Sequence, residues 1–117
     1  MIEWKKDIIE EIVQCYNLKE GWDGDGATKP DHKSLNDAFQ FMKILPEELP
    51  DTTTGCIHLY GRYSISLYNF GVSNFFIDIE FAGDGKVYVF MTDDSGYKCK
   101  ATADIRFAQK FIKTIGE

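Results

Sequence analysis

Three constellations in this 117-residue chain hold residue types that could do chemistry. The first is Gly21-Trp22-Asp23-Gly24-Asp25-Gly26-Ala27, where alternate carboxylates in a glycine-rich turn are how calcium loops begin. The pattern then departs from a cation site. Ala27 stands where a third ligand is wanted, and Ser34 falls where a bidentate glutamate belongs, so a site would need Asp31 beside Asp23 and Asp25. The alternative is a structural staple, with Trp22 burying its ring between flanking helices and the two carboxylates accepting backbone N–H bonds as Asx turns. A loop that contacts a partner is a third reading. Phosphate binding is excluded by the wrong glycine spacing, the preceding helix and the repulsion of two aspartates.

The second constellation is Cys56 and His58, two apart in a strand-like run and therefore on one face. A Cys/His pair makes a thiolate nucleophile or half a zinc site, but nearby sequence supplies no further ligand, and His32 or Cys15 would have to be brought in by the fold. Ordinary core or edge residues are the better reading. The third is Asp78 and Glu80, which project together from one sheet face; paired carboxylates serve acid–base chemistry when a His or Lys is fixed beside them.

The elements that position these groups follow from hydrophobic periodicity. Ile8, Ile9, Ile12, Val13 and Tyr16 recur at helical spacing within Ile2 to Leu18, and Gly21 suits the residue just past that helix. A second helix runs from about Asp31 to Leu45, with Asp31 or Ser34 as cap, Asp37 completing a capping box, and Leu45-Pro46 as its stop. Glu47 to Thr54 reads as a connector. From Gly55 the period becomes two, through Ile57 and Leu59, then Tyr63, Ile65 and Leu67, then, after a loop at Asn69 to Asn74, Phe75, Ile77, Ile79 and Phe81. Gly83-Asp84-Gly85 and Asp93-Asp94-Ser95-Gly96 are tight turns that separate Lys86 to Met91 from its neighbours and lead into Tyr97 to Ala101. Ile105, Ala108, Phe111, Ile112 and Ile115 then form a C-terminal helical stripe, capped by Thr102 or Asp104. The order predicts a single α+β domain over residues 1–117: two N-terminal helices, an antiparallel meander of four to five strands and a C-terminal helix, the helices on one sheet face with the side of the third left open.

Composition narrows the function classes. Nineteen acidic against thirteen basic residues give a net charge of −6, which argues against direct nucleic-acid or anionic-membrane binding and favours basic partners or solubility. Three dispersed cysteines, a charged N-terminal stretch and no membrane-length apolar run point to a cytoplasmic protein with free thiols. No cofactor signature is present.

If Ile77 and Ile79 face the helices, Phe76, Tyr88 and Phe90 face away, beside Asp78 and Glu80. An aromatic strip with an acidic rim is what a partner-binding surface looks like, unless the last helix or a homodimer mate covers it. Acidic clusters at Glu10-Glu11, Glu47-Glu48-Asp51, Asp78/Glu80/Asp84 and Asp93-Asp94 could mimic a nucleic-acid backbone, although charge runs are usually solvated faces.

The run Leu18 to Ala27, followed by Pro30, Leu45-Pro46, Gly55-Cys56-Ile57-His58-Leu59, Ile77-Asp78-Ile79-Glu80 and Gly83-Asp84-Gly85-Lys86, resembles a group of small bacterial and phage proteins sharing a G-W-D-G-x-G-A turn. That resemblance implies an accessory role in mobile elements or defence. It supplies no catalytic residue. The expectation is a non-enzymatic, acidic protein-binding module of inhibitor, immunity, antitoxin or anti-defence type, acting on a basic or nucleic-acid-handling partner. The alternatives are a small metal-dependent hydrolase built on Asp23 and Asp25, with Asp31 and His32, and a homodimeric structural domain.

Overall fold

The computed structural model describes residues 3–45, 53–70 and 74–115. Pro46, the cluster Glu47-Glu48-Asp51 and residues 71–73 of the expected loop lie outside the described residues. The elements are α1 (Glu3–Cys15), α2 (His32–Ile44), β1 (Thr54–Ile57), β2 (Tyr63–Phe70), β3 (Phe75–Gly83), β4 (Lys86–Thr92), β5 (Lys98–Asp104) and α3 (Ile105–Ile115). The five strands form one antiparallel sheet in chain order, β1-β2-β3-β4-β5.

The register sorts side chains onto two faces. Ile65, Ile79, Val89 and Ala101 stand in one transverse row, and the alternate rows are Ser66–Asp78–Phe90–Lys100 and Ser64–Glu80–Tyr88–Thr102. Tyr63, Ile65, Leu67, Ile77, Ile79, Phe81 and Val87 are buried in a single cluster with residues of all three helices, so the helices share one face, which the sequence left open for α3. That leaves the alternate rows on the other side.

Helix α1 buries Trp4, Ile8, Ile12 and Cys15, whereas Val13 is 51% exposed. Ile9 and Tyr16 pack half-buried against the same cluster, so of the stripe read in the sequence only Val13 turns away from the core. Lys5 is also buried and donates from Nζ to the carbonyl of Leu45 at 2.8 Å, tying α1 to the end of α2.

Asp31 caps α2 by accepting from the Lys33 N–H at 2.9 Å. Ser34, the other expected cap, lies inside the helix and is buried. Its hydroxyl donates to the carbonyl of Phe81 at 2.6 Å and accepts from the Tyr63 N–H at 3.0 Å, while Asp37 accepts from the Gly85 N–H at 2.8 Å. The expected capping box is replaced by three ties from α2 to the sheet. Helix α3 follows β5 without a loop, Asp104 accepting from the Phe107 N–H at 2.8 Å, and buries Ala108 and Ile112.

Candidate functional site

The glycine loop is closed by its own backbone and by Asp23. One carboxylate oxygen of Asp23 accepts from the N–H groups of Asp25 at 2.9 Å and Ala27 at 3.0 Å, and the Gly21 N–H donates to the Ala27 carbonyl at 2.7 Å. These bonds to Asp25 and Ala27 hold the Asp23 carboxyl below its ordinary range. Gly21, Gly24 and Gly26 all have positive φ, which is why the turn needs glycine. Trp22 is half-buried, and its indole N–H donates to the Thr28 carbonyl at 2.9 Å within the same segment. Asp25 takes part through its N–H, with its side chain exposed. Asp31 is spent on the helix cap. Among the described residues no group of three or more His, Cys, Asp or Glu side chains converges as a metal site.

Cys56 and His58 do not form a couple. His58 Nε2 and Ser64 Oγ are 2.8 Å apart, and the imidazole stacks on Tyr60 with centroids 5.1 Å apart. A Ser–His contact raises the question of nucleophilic catalysis. Ser64 is only 2% exposed, so its hydroxyl cannot reach a substrate carbonyl, and the contact reads as structural. Cys15 is buried and Cys56 exposed; desolvation pushes both thiols up, Cys15 to about 11, the direction opposite to that of an activated thiolate.

The sheet face opposite the helices brings the third constellation together. Tyr68 and Phe76 make a tilted ring contact at 4.9 Å, and Phe76 meets Phe90 edge-on at 6.3 Å. Tyr60, Tyr68 and Tyr88 are 56%, 44% and 42% exposed, well above core values. Glu80 accepts from the Tyr60 hydroxyl on one oxygen and lies 3.3 Å from Arg62 Nη1 on the other, while Arg62 sits over the Tyr88 ring at 5.3 Å. The bond to Glu80 raises the Tyr60 hydroxyl to about 12. Asp78 accepts from the Ser66 hydroxyl at 2.7 Å, and Lys100 reaches over Phe90 at 5.9 Å. Asp78, Glu80, Tyr88, Phe90, Lys100 and Thr102 line a shallow groove of about 370 Å³.

The expected partner-binding residues Phe76, Asp78, Glu80, Tyr88 and Phe90 thus share one surface, with one change of layout. The carboxylates lie on β3, at the centre of the sheet, and the margin along β5 carries Lys98 and Lys100 where an acidic rim was expected. Two further acids are engaged locally: Asp84 faces Lys33 at 3.3 Å, and Asp93 accepts from the N–H groups of Ser95 and Tyr97. Sequence reasoning missed Tyr60, Arg62, Ser66, Tyr68 and Lys100. Alternation in Tyr63 to Leu67 contained a signal for Ser64 and Ser66, since they stand opposite the apolar set. Arg62 precedes the strand and gave none.

No family model, curated protein or solved structure matches this chain.

Proposed function

We propose that this is a non-enzymatic protein-binding module that neutralises a macromolecular partner through the open face of its sheet. The observation that carries the reading is the one-sided fold: all three helices cover one face, and the other displays Tyr60, Tyr68, Phe76, Tyr88 and Phe90 around two held carboxylates. A fold of this kind can leave one face solvated with ordinary polar residues, so a connected aromatic surface there needs a further use. Tyrosines supply wide contact area at low entropic cost, and a positioned arginine adds a directional donor; both are enriched at the energetic centres of interfaces.

The partner is a protein with a basic surface, such as one that handles nucleic acid. A net charge of −6 steers approach of such a partner over distances beyond contact. On arrival, a cationic side chain entering the groove meets Asp78 and Glu80, while apolar groups stack on the rings. The resemblance carried by the Gly21–Ala27 turn agrees with an inhibitor, immunity, antitoxin or anti-defence role in the cytoplasm.

A photo-crosslinking residue at Tyr88, compared with one at the exposed helix-side Phe107, tests the assignment in the native host. Crosslinking to a foreign protein from position 88, competed by unlabelled wild type and not seen from 107, supports it. The metal-dependent hydrolase reading has a separate test. Calorimetry with calcium, magnesium and zinc is expected to show no binding, and micromolar uptake abolished by Asp23→Ala would restore it.

A further inference from the structure

We infer that β5 is a dimerisation edge, pairing antiparallel with β5 of a second copy about a two-fold axis at Ala101. The backbone pattern sets the geometry. The Asp93 N–H bonds the Tyr97 carbonyl and the Ile105 N–H bonds the Gly85 carbonyl, in the same register that pairs Val87 with Ala103 and Val89 with Ala101. In an antiparallel ladder bonded pairs alternate with unbonded ones, so the odd-numbered residues of β5 turn their backbone groups toward β4. The backbone groups of Lys98, Lys100 and Thr102 and the N–H of Asp104 therefore point outward from the sheet edge. Among the described residues β5 packs mainly against β4 and α3, and the other edge, β1, is shorter and packs against α1.

Self-pairing must join outward residues to outward residues. The register that overlaps the whole strand sets Lys98 opposite Asp104 and Lys100 opposite Thr102, with Ala101 opposite itself and Cys99 opposite Ala103. Lys98 thus meets the mate's Asp104 at both ends of the strand, through the carboxylate oxygen that the Phe107 N–H does not occupy, which favours a second copy over an arbitrary peptide. The register that sets Lys100 opposite Lys100 is penalised. Ala101, Ala103 and Cys99 are small, so nothing blocks the close approach of backbones at the unbonded pairs, about 4.5 Å between Cα atoms. Edge lysines commonly discourage pairing; here each end lysine finds an aspartate in the mate. The resulting ten-stranded sheet would carry two open aromatic faces on one side, giving a bivalent surface. The inference is independent of what those faces bind.

The test combines mass and register. Size exclusion with light scattering is expected to give twice 13.4 kDa for the wild type, and the monomer mass for Thr102→Pro, which removes an outward N–H that the chain itself does not use. Circular dichroism of that variant should match the wild type. Independently, Ala101→Cys in a Cys56→Ser/Cys99→Ser background should form an interchain disulfide on mild oxidation, because the paired Cα atoms fall within bridging distance, and Lys100→Cys in the same background should not. A monomeric wild type, a dimer that persists in folded Thr102→Pro, or crosslinking at Lys100→Cys but not Ala101→Cys would each overturn the inference. Should Thr102→Pro fail to fold, the cysteine pair decides alone.

Discussion

The hydroxyl of Tyr63 on β2 donates to Oε1 of Glu11 on α1 at 3.0 Å, beneath Gly55 of the edge strand β1. Tyr63 is fully buried, and Glu11 is half-buried beside Cys15 and Cys56. This pair joins the first helix to the sheet and sets two measurable properties of the fold.

The first is a pH dependence of unusual sign. Burial raises the Glu11 carboxyl above its ordinary value of 4.5, and the Tyr63 bond offsets this only in part. A raised folded-state pKa means stability that is complete below the unfolded value and lost as pH rises through the folded one. Glu11→Gln keeps an acceptor for Tyr63 and removes the charge. Urea titrations across pH should find it more stable than wild type at neutral pH, with the advantage vanishing toward pH 4.

The second concerns Gly55. A Cβ there would lie 2.0 Å from the Tyr63 hydroxyl oxygen and 2.8 Å from Cζ. Gly55→Ala should cost about 1–3 kcal/mol by overpacking, read as a lower thermal midpoint. Adding Tyr63→Phe removes the nearest atom and should recover part of that loss, a coupling that a double-mutant cycle measures.

Ser34 serves two backbone groups at once, one on β2 and one on β3. Ser34→Ala leaves a buried N–H and a buried carbonyl without this partner, and chemical denaturation should show a loss of about 1–3 kcal/mol. Were the serine only a helix residue, the change to alanine would be neutral or favourable.

Asp23 titrates with the opposite sign to Glu11. Its carboxyl is held low by the Asp25 and Ala27 N–H groups, so its contribution is complete above the ordinary carboxylate range and is lost as pH falls below it. Asp23→Ala should speed amide hydrogen exchange at Asp25 and Ala27, whereas Asp25→Ala, whose side chain is exposed, should leave it unchanged.

The strands and helices were legible because period two and period 3.6 are properties of the local sequence. Ile77, Ile79 and Phe81 announce their face by alternation, and the register carries that face to Val87 and Val89. The open surface was half legible for the same reason, since Phe76, Asp78 and Glu80 must oppose that set. What the sequence hid depends on long-range pairing. Nothing local tells Arg62 to reach Glu80, or Ser34 to turn inward to Phe81 and Tyr63 when its spacing suits a cap. The stripe of α1 was misread at one position for a related reason: Val13 lies on a locally plausible face that no described element covers.

The most direct test of the open face as the binding surface is quantitative recovery of partners from the native host. Wild type, Phe76→Ser/Tyr88→Ser and the helix-side control Phe107→Ser are compared at equal folded concentration. The account predicts a partner enriched by wild type and by Phe107→Ser and lost with Phe76→Ser/Tyr88→Ser. Equal recovery by all three proteins would contradict it.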